Sequence, residues 1–142
     1  MNDSISAKSV IRIVLLVLCG LILGLNIYSF NANNLVGNKL PMPFGYGAAV
    51  VLSGSMEPVY HVGSLLYVKA VDYRELSVGD PITYMINQDT VVTHRITEVL
   101  PDEENPEVIR YITKGDANDS ADGSSVHYKN VIGTPIFSIP YM

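Results

Sequence analysis

Hydrophobic positions along the chain follow two different regimes. Positions 13–30 carry no charge, and Ile13 to Leu25 are almost purely aliphatic. A helix built from this run has no polar face, unlike the amphipathic helix of a soluble core. Its length would be about 27 Å, close to the ~30 Å hydrocarbon core of a bilayer. Lys8 and Arg12 precede the run and no basic residue follows until Lys39. The excess of basic residues on that side places segment 1–12 in the cytoplasm and the chain beyond position 30 outside. A removable leader is the alternative. Cutting after Ala32 or Ser29, however, puts Phe30 or Ile27 at the −3 position, where a small residue is needed. Positions 13–30 therefore read as a transmembrane helix that stays attached.

Beyond it, segment 31–43 is rich in Asn, Gly and Pro and reads as a linker. From position 44 onward the period changes. Short runs rich in β-branched and aromatic residues occupy 48–52, 64–71, 82–86, 90–99, 108–113 and 131–137. Gly79-Asp80-Pro81, Asn87-Gln88-Asp89 and the stretch from Pro101 to Pro106 supply turns between them. Six short strands at this spacing predict a mainly β domain over 44–142, a small antiparallel barrel or coiled sheet. The acidic stretch 102–107 reads as a solvated loop without chemistry. The apolar end, from Gly133 with Pro135 and Pro140, fits either a final strand or the start of a second membrane segment after 136.

Composition narrows the function. With 142 residues the chain has room for about one domain; 48% of it is hydrophobic and 16% charged. A net charge of −5 argues against nucleic acid as a partner, since phosphates demand clustered Lys and Arg. One cysteine, Cys19, excludes an internal disulfide framework and a thiolate-rich zinc site. His61, His94 and His127 lack the spacing of a short metal motif, so neither metal nor cofactor is expected. Asp116, Asp119 and Asp122 invite a calcium-loop reading. That template fails, because Ala121 stands where it needs Gly and His127 where it needs Glu.

Three patches could carry chemistry. Ser53-Gly54-Ser55-Met56-Glu57-Pro58 directly follows the first strand run. A serine at a strand end beside glycine is well placed for nucleophilic attack, although such turns are also common structural features. Its amide and the hydroxyl two residues earlier could face one oxyanion. In Val92-Thr93-His94-Arg95-Ile96, alternation puts His94 on the apolar face with Val92 and Ile96, while Thr93 and Arg95 point away. A lone histidine there is usually a core residue. It is also where a base belongs, because partial desolvation favours the neutral imidazole. The third patch, from Thr113 to Gly123, offers carboxylates that could orient a histidine.

Ordered Ser, His, Asp on a tethered β domain, these patches resemble the type I signal peptidases of the endoplasmic-reticulum type, a branch that also occurs in Gram-positive bacteria and archaea. The matching motifs are Ser53 to Pro58, Val62 to Val68, Val78 to Tyr84, Thr93-His94-Arg95 and Thr113 to Asp122, and the end of the chain is similar to the family's lead into a C-terminal membrane segment. The resemblance implies that Ser55 is the nucleophile and that Ser53 assists the Ser55 amide in the oxyanion hole. His94 stands where the commonest bacterial enzymes carry a lysine base. Asp122 corresponds to the acid of a Ser-His-Asp triad and Asp116 to a second acid; the ranking of the two stays open at this point. Ser64 stands where many members have Asp, and Ala117 replaces a frequent Asn.

The function this implies is a membrane-bound serine endopeptidase. It would remove signal peptides from exported preproteins after small residues at −1 and −3, with Ala48, Val50 and Leu52 binding the substrate as an added strand. Its partners would be preproteins and the lipid bilayer. Asn118-Asp119-Ser120 is a glycosylation sequon inside the proposed site. A glycan there would obstruct it, which favours a bacterial over a reticulum membrane. Two rivals remain at this point. A self-cleaving repressor-type protease of the same fold would need a lysine base. A tethered, non-catalytic protein-binding module would leave Ser55 and His94 apart.

Overall fold

An aliphatic run without a helix breaker folds as one helix, α1 (Ala7–Leu35). The computed structural model describes residues 7–35, 40–88 and 90–141. Within α1, Ala7–Tyr28 reaches a mean hydropathy of 2.6 with no part of it buried, so its length and composition suit a membrane span. The helix outruns the expected 13–30 at both ends because no proline stops it; Pro41 is the first in the chain. The first five positions of the expected linker are thus helical, while 36–39, like 1–6 of the cytoplasmic segment, lie outside the described residues. Leu40 is not linker-like either. It is 6% exposed and packs with Leu66 and Val68. The Tyr28 hydroxyl donates to the Met42 carbonyl (3.2 Å), tying the helix to the chain that enters the sheet.

The six apolar runs become strands with shifted ends: β1 (Tyr46–Val50), β2 (Leu65–Lys69), β3 (Pro81–Asn87), β4 (Thr90–Pro101), β5 (Ile109–Lys114) and β7 (Val131–Ile139). A seventh, β6 (Val126–His127), is too short to leave a periodic signal. All described pairings are antiparallel, in the order β1-β2-β7-β3-β4-β5-β6. β7 joins the halves: Thr134 to Ile139 pair with β2, and Val131 and Gly133 with β3. Within the apolar end, Val131–Ile139 form strand β7.

Alternation decides what each strand buries. On the inner face Leu76, Ile82, Tyr84, Ile96, Tyr111 and Val126 form the larger cluster. Burying an aliphatic side chain of this size contributes about 1.5–3 kcal/mol. The sheet coils, so that 49–52 at one edge and 123–126 near the other line a single groove of about 780 Å³. The acidic loop is more ordered than a free solvated loop. Asp102 accepts from the Glu104 and Asn105 amides (3.0 and 3.3 Å) and pairs with the Arg110 guanidinium. These contacts hold its carboxyl below the usual range, with Arg110 the main cause.

Candidate active site

After β1, the ladder to the 61–64 segment continues one step: the Val51 amide donates to Ser64 (2.9 Å) and the Gly63 amide to Val51 (2.8 Å). Ser53, still extended at φ −133° and ψ 157°, then leads into a 3-10 turn, Gly54–Met56. Met56 is 2% exposed and anchors that turn, while Ser55 lies on the wall of the groove. The loop after β5 clamps it from behind. The Ala117 amide donates to the Ser55 carbonyl (2.9 Å). Gly115 approaches so closely that a Cβ there would stand 2.5 Å from the Ser55 oxygen. That approach requires glycine.

His94 lies in β4 opposite Ile82 of β3, on the inner face, and is 9% exposed. Asp122 returns to the end of β5, where its amide donates to the Thr113 carbonyl (2.8 Å). Its Oδ2 is 2.6 Å from His94 Nδ1. An ionised carboxylate only accepts hydrogen bonds, so Nδ1 carries the proton and, in the neutral ring, Nε2 is an acceptor. The Ser55 hydroxyl donates to that Nε2 at 3.1 Å. Ser53 Oγ lies 3.3 Å from Ser55 Oγ and, with the Ser55 hydrogen committed to His94, is the donor of that pair.

Burial alone would raise the Asp122 carboxyl, but hydrogen bonds from Thr113, His94 and Tyr84 outweigh it and bring it below its ordinary value. Asp116 stands elsewhere. Arg95 Nε and Nη2 donate to its two oxygens (2.8 and 2.7 Å), and Arg95 Nη1 donates to the Gly79 carbonyl (2.8 Å). This pairing keeps the Asp116 carboxyl low, and Asp116 in turn raises Arg95. Of the two aspartates it is Asp122 that meets His94. Asp116 and Arg95 instead strap the clamping loop to β4 and to the turn before β3.

Among the proposed substrate positions, Val50 and Leu52 line the groove together with Ala49 and Val51, while Ala48 is not among its lining residues. Sequence reasoning passed over Tyr84 and Thr113. The Thr113 hydroxyl donates to Asp122 Oδ2 at 2.6 Å, and the Tyr84 hydroxyl lies 3.2 Å from the same oxygen. Alternation along β3 and β4 puts Tyr84 on the face of Val92 and His94, and that was the available signal.

No family model matches the chain. Over 92 residues it is 45% identical to signal peptidase I W of Bacillus subtilis (strain 168), covering 64% of this chain and 47% of that protein. Over 116 residues it is 30% identical to the signal peptidase complex catalytic subunit SEC11C of Homo sapiens, covering 76% and 56%. The corresponding SEC11 subunit of Candida albicans (strain WO-1) is 38% identical over 81 residues, or 56% of this chain and 46% of that one. The chain spans about half the length of the curated relatives it matches. A bacterial signal peptidase I and catalytic subunits of the signal peptidase complex thus both match this chain, and the chain belongs to the type I signal peptidases of the endoplasmic-reticulum type.

Proposed function

We propose that the chain is a membrane-bound serine endopeptidase that releases signal peptides from exported preproteins. The contact between Ser55 Oγ and His94 Nε2, 3.1 Å with Asp122 behind the ring, carries this reading. All three groups come from one chain, so the triad needs no second subunit to complete it. The 3.1 Å contact also disfavours the non-catalytic module, and histidine in place of lysine disfavours the repressor-type protease.

The chemistry follows from the geometry. His94 Nε2 takes the Ser55 proton as Oγ attacks the scissile carbonyl carbon. The oxyanion faces the Ser55 amide and the Ser53 hydroxyl. The imidazolium, stabilised by ionised Asp122, returns the proton to the leaving amine, and an acyl-enzyme remains on Ser55. Water then gives its proton to His94 and releases the acyl group. β1 is an edge strand, so an extended substrate segment can add beside it along Val50 to Leu52. Small residues at −1 and −3 would fit that approach, as in the family. With α1 anchored in the bilayer and its N-terminus inside, the catalytic domain lies outside. Enzyme and signal-peptide segment then share one membrane, which raises their effective concentration.

A membrane assay on a preprotein tests the reading with Ser55→Ala, His94→Ala and His94→Lys beside wild type. Ser55→Ala and His94→Ala abolish processing in folded protein, and wild-type activity falls toward acid pH as the imidazole takes up a proton. Processing retained by Ser55→Ala refutes the assignment.

A further inference from the structure

Two hydroxyls are buried in the inner face where the neighbouring positions are aliphatic: Tyr84 is 4% exposed and Thr113 0%. A hydroxyl taken out of water costs free energy unless it finds a partner. Both are spent on the same oxygen, Oδ2 of Asp122, which also accepts from His94 (2.6, 3.2 and 2.6 Å for Thr113, Tyr84 and His94). The register brings them there. His94 of β4 faces Ile82, two residues before Tyr84 on β3, and Thr113 of β5 faces Ile96, two residues beyond His94. Three adjacent strands thus present Tyr84, His94 and Thr113 as neighbours on one face, and Asp122 closes onto them. The Thr113 hydrogen is committed to Asp122 at 2.6 Å, so its oxygen can only accept from Tyr84, whose one hydrogen is shared between Thr113 Oγ1 at 3.1 Å and Asp122 Oδ2 at 3.2 Å.

Resting on the triad reading above, we propose that Tyr84 and Thr113 are positioning residues whose hydroxyls form a relay that aims Asp122 Oδ2 at His94 Nδ1 and limits how much of its charge reaches the ring. The relay holds the same carboxylate oxygen that accepts from His94, which fixes the Nδ1–H tautomer and leaves Nε2 open for the Ser55 proton. Tyr84 stays protonated as this requires: burial is the main cause that pushes its hydroxyl up to about 12. Besides Asp122, Asp116 acts electrostatically on His94 and is paired with Arg95, and the substitutions below leave both in place.

Two measurements on the full-length chain test this. In the first, kcat, KM and the pH profile are compared among wild type, Tyr84→Phe, Thr113→Val and Thr113→Ser. Thr113→Val should lose about 10–100-fold in kcat and Tyr84→Phe about 3–10-fold, with KM within about twofold, because orientation of the base enters only the chemical steps. Without the relay more carboxylate charge faces the ring, so the acid limb of the variants should lie at higher pH than that of wild type. Thr113→Ser, which keeps the hydroxyl, should restore both. In the second, the His94 Nδ1 proton is titrated by NMR, also in Ser55→Ala, which needs no turnover. Its resonance and titration midpoint should shift in Tyr84→Phe and Thr113→Val, and their coincidence with wild type overturns the proposal even if Ser55→Ala is inactive. Should Thr113→Val not fold, Tyr84→Phe decides alone. Preprotein processing that survives Ser55→Ala would instead sink the function reading, while the NMR arm still reports on the relay.

Discussion

His94 stands inside a twelve-residue strand, β4, with β3 paired on one side and β5 on the other, whereas Ser55 stands in a three-residue 3-10 turn behind the edge strand β1. Around His94 the larger cluster supplies fully buried Ile82 and Ile96. Around Ser55 the support is Met56 and a loop, 115–118, that reaches over from the end of β5. His94 is therefore positioned by the core, and Ser55 by a handful of backbone contacts. Damage to the core should cost stability first, and damage to the clamp should cost activity first.

The largest effect should come where β7 joins the halves. A Cβ on Gly133 would stand 2.2 Å from the Lys69 carbonyl oxygen, a backbone atom with no freedom to move aside. Gly133→Ala should cost at least the ~1–3 kcal/mol typical of overpacking. A thermal melt of the detergent-solubilised chain with unchanged Tm would break the comparison. Gly115→Ala comes next and tests the other half. Pushing the clamp from the Ser55 carbonyl by about 1 Å should lower kcat about 100-fold, while Tm stays close to wild type. Equal losses in Tm from the two glycines would show that clamp and core are one unit.

Acid should act on the clamp before the core. Asp116 and Asp122 are both held low in the fold. Each therefore contributes stability that is fully present above its unfolded value of about 3.9 and is lost as pH falls through the lower folded value. Denaturant titrations between pH 7 and pH 2 should show that loss, and Asp116→Asn should flatten the slope. The smallest effect should come from Arg110→Ala, which breaks a partly exposed pair with Asp102. Little or no change in stability and unchanged kcat are expected; a fall in kcat would mean that the β4–β5 loop communicates with the site.

Much of the site was legible because its residues sit in local motifs. Ser55 follows an apolar run and His94 alternates with Val92 and Ile96, so both showed in short windows. The contacts of Tyr84 and Thr113 with Asp122 did not show. Alternation puts Tyr84 on the face of His94, but Tyr84 reaches Asp122 across 38 positions and Thr113 reaches it across 9, and no short-range pattern marks that shared partner. Leu40 misled for the same reason, since its Asn- and Gly-rich surroundings look like linker while its side chain fills a gap beside Leu66.

Sequence alone determined the membrane-length helix, six of the seven described strands and the chain order of Ser55, His94, Asp116 and Asp122. Hydropathy period and turn chemistry are properties of neighbouring residues, so a chain displays them unfolded. Only the coiled sheet decided that Asp122 meets His94 while Asp116 turns to Arg95. That choice depends on strand register and on contacts across 28 and 21 positions, and these exist only once the sheet has closed around them.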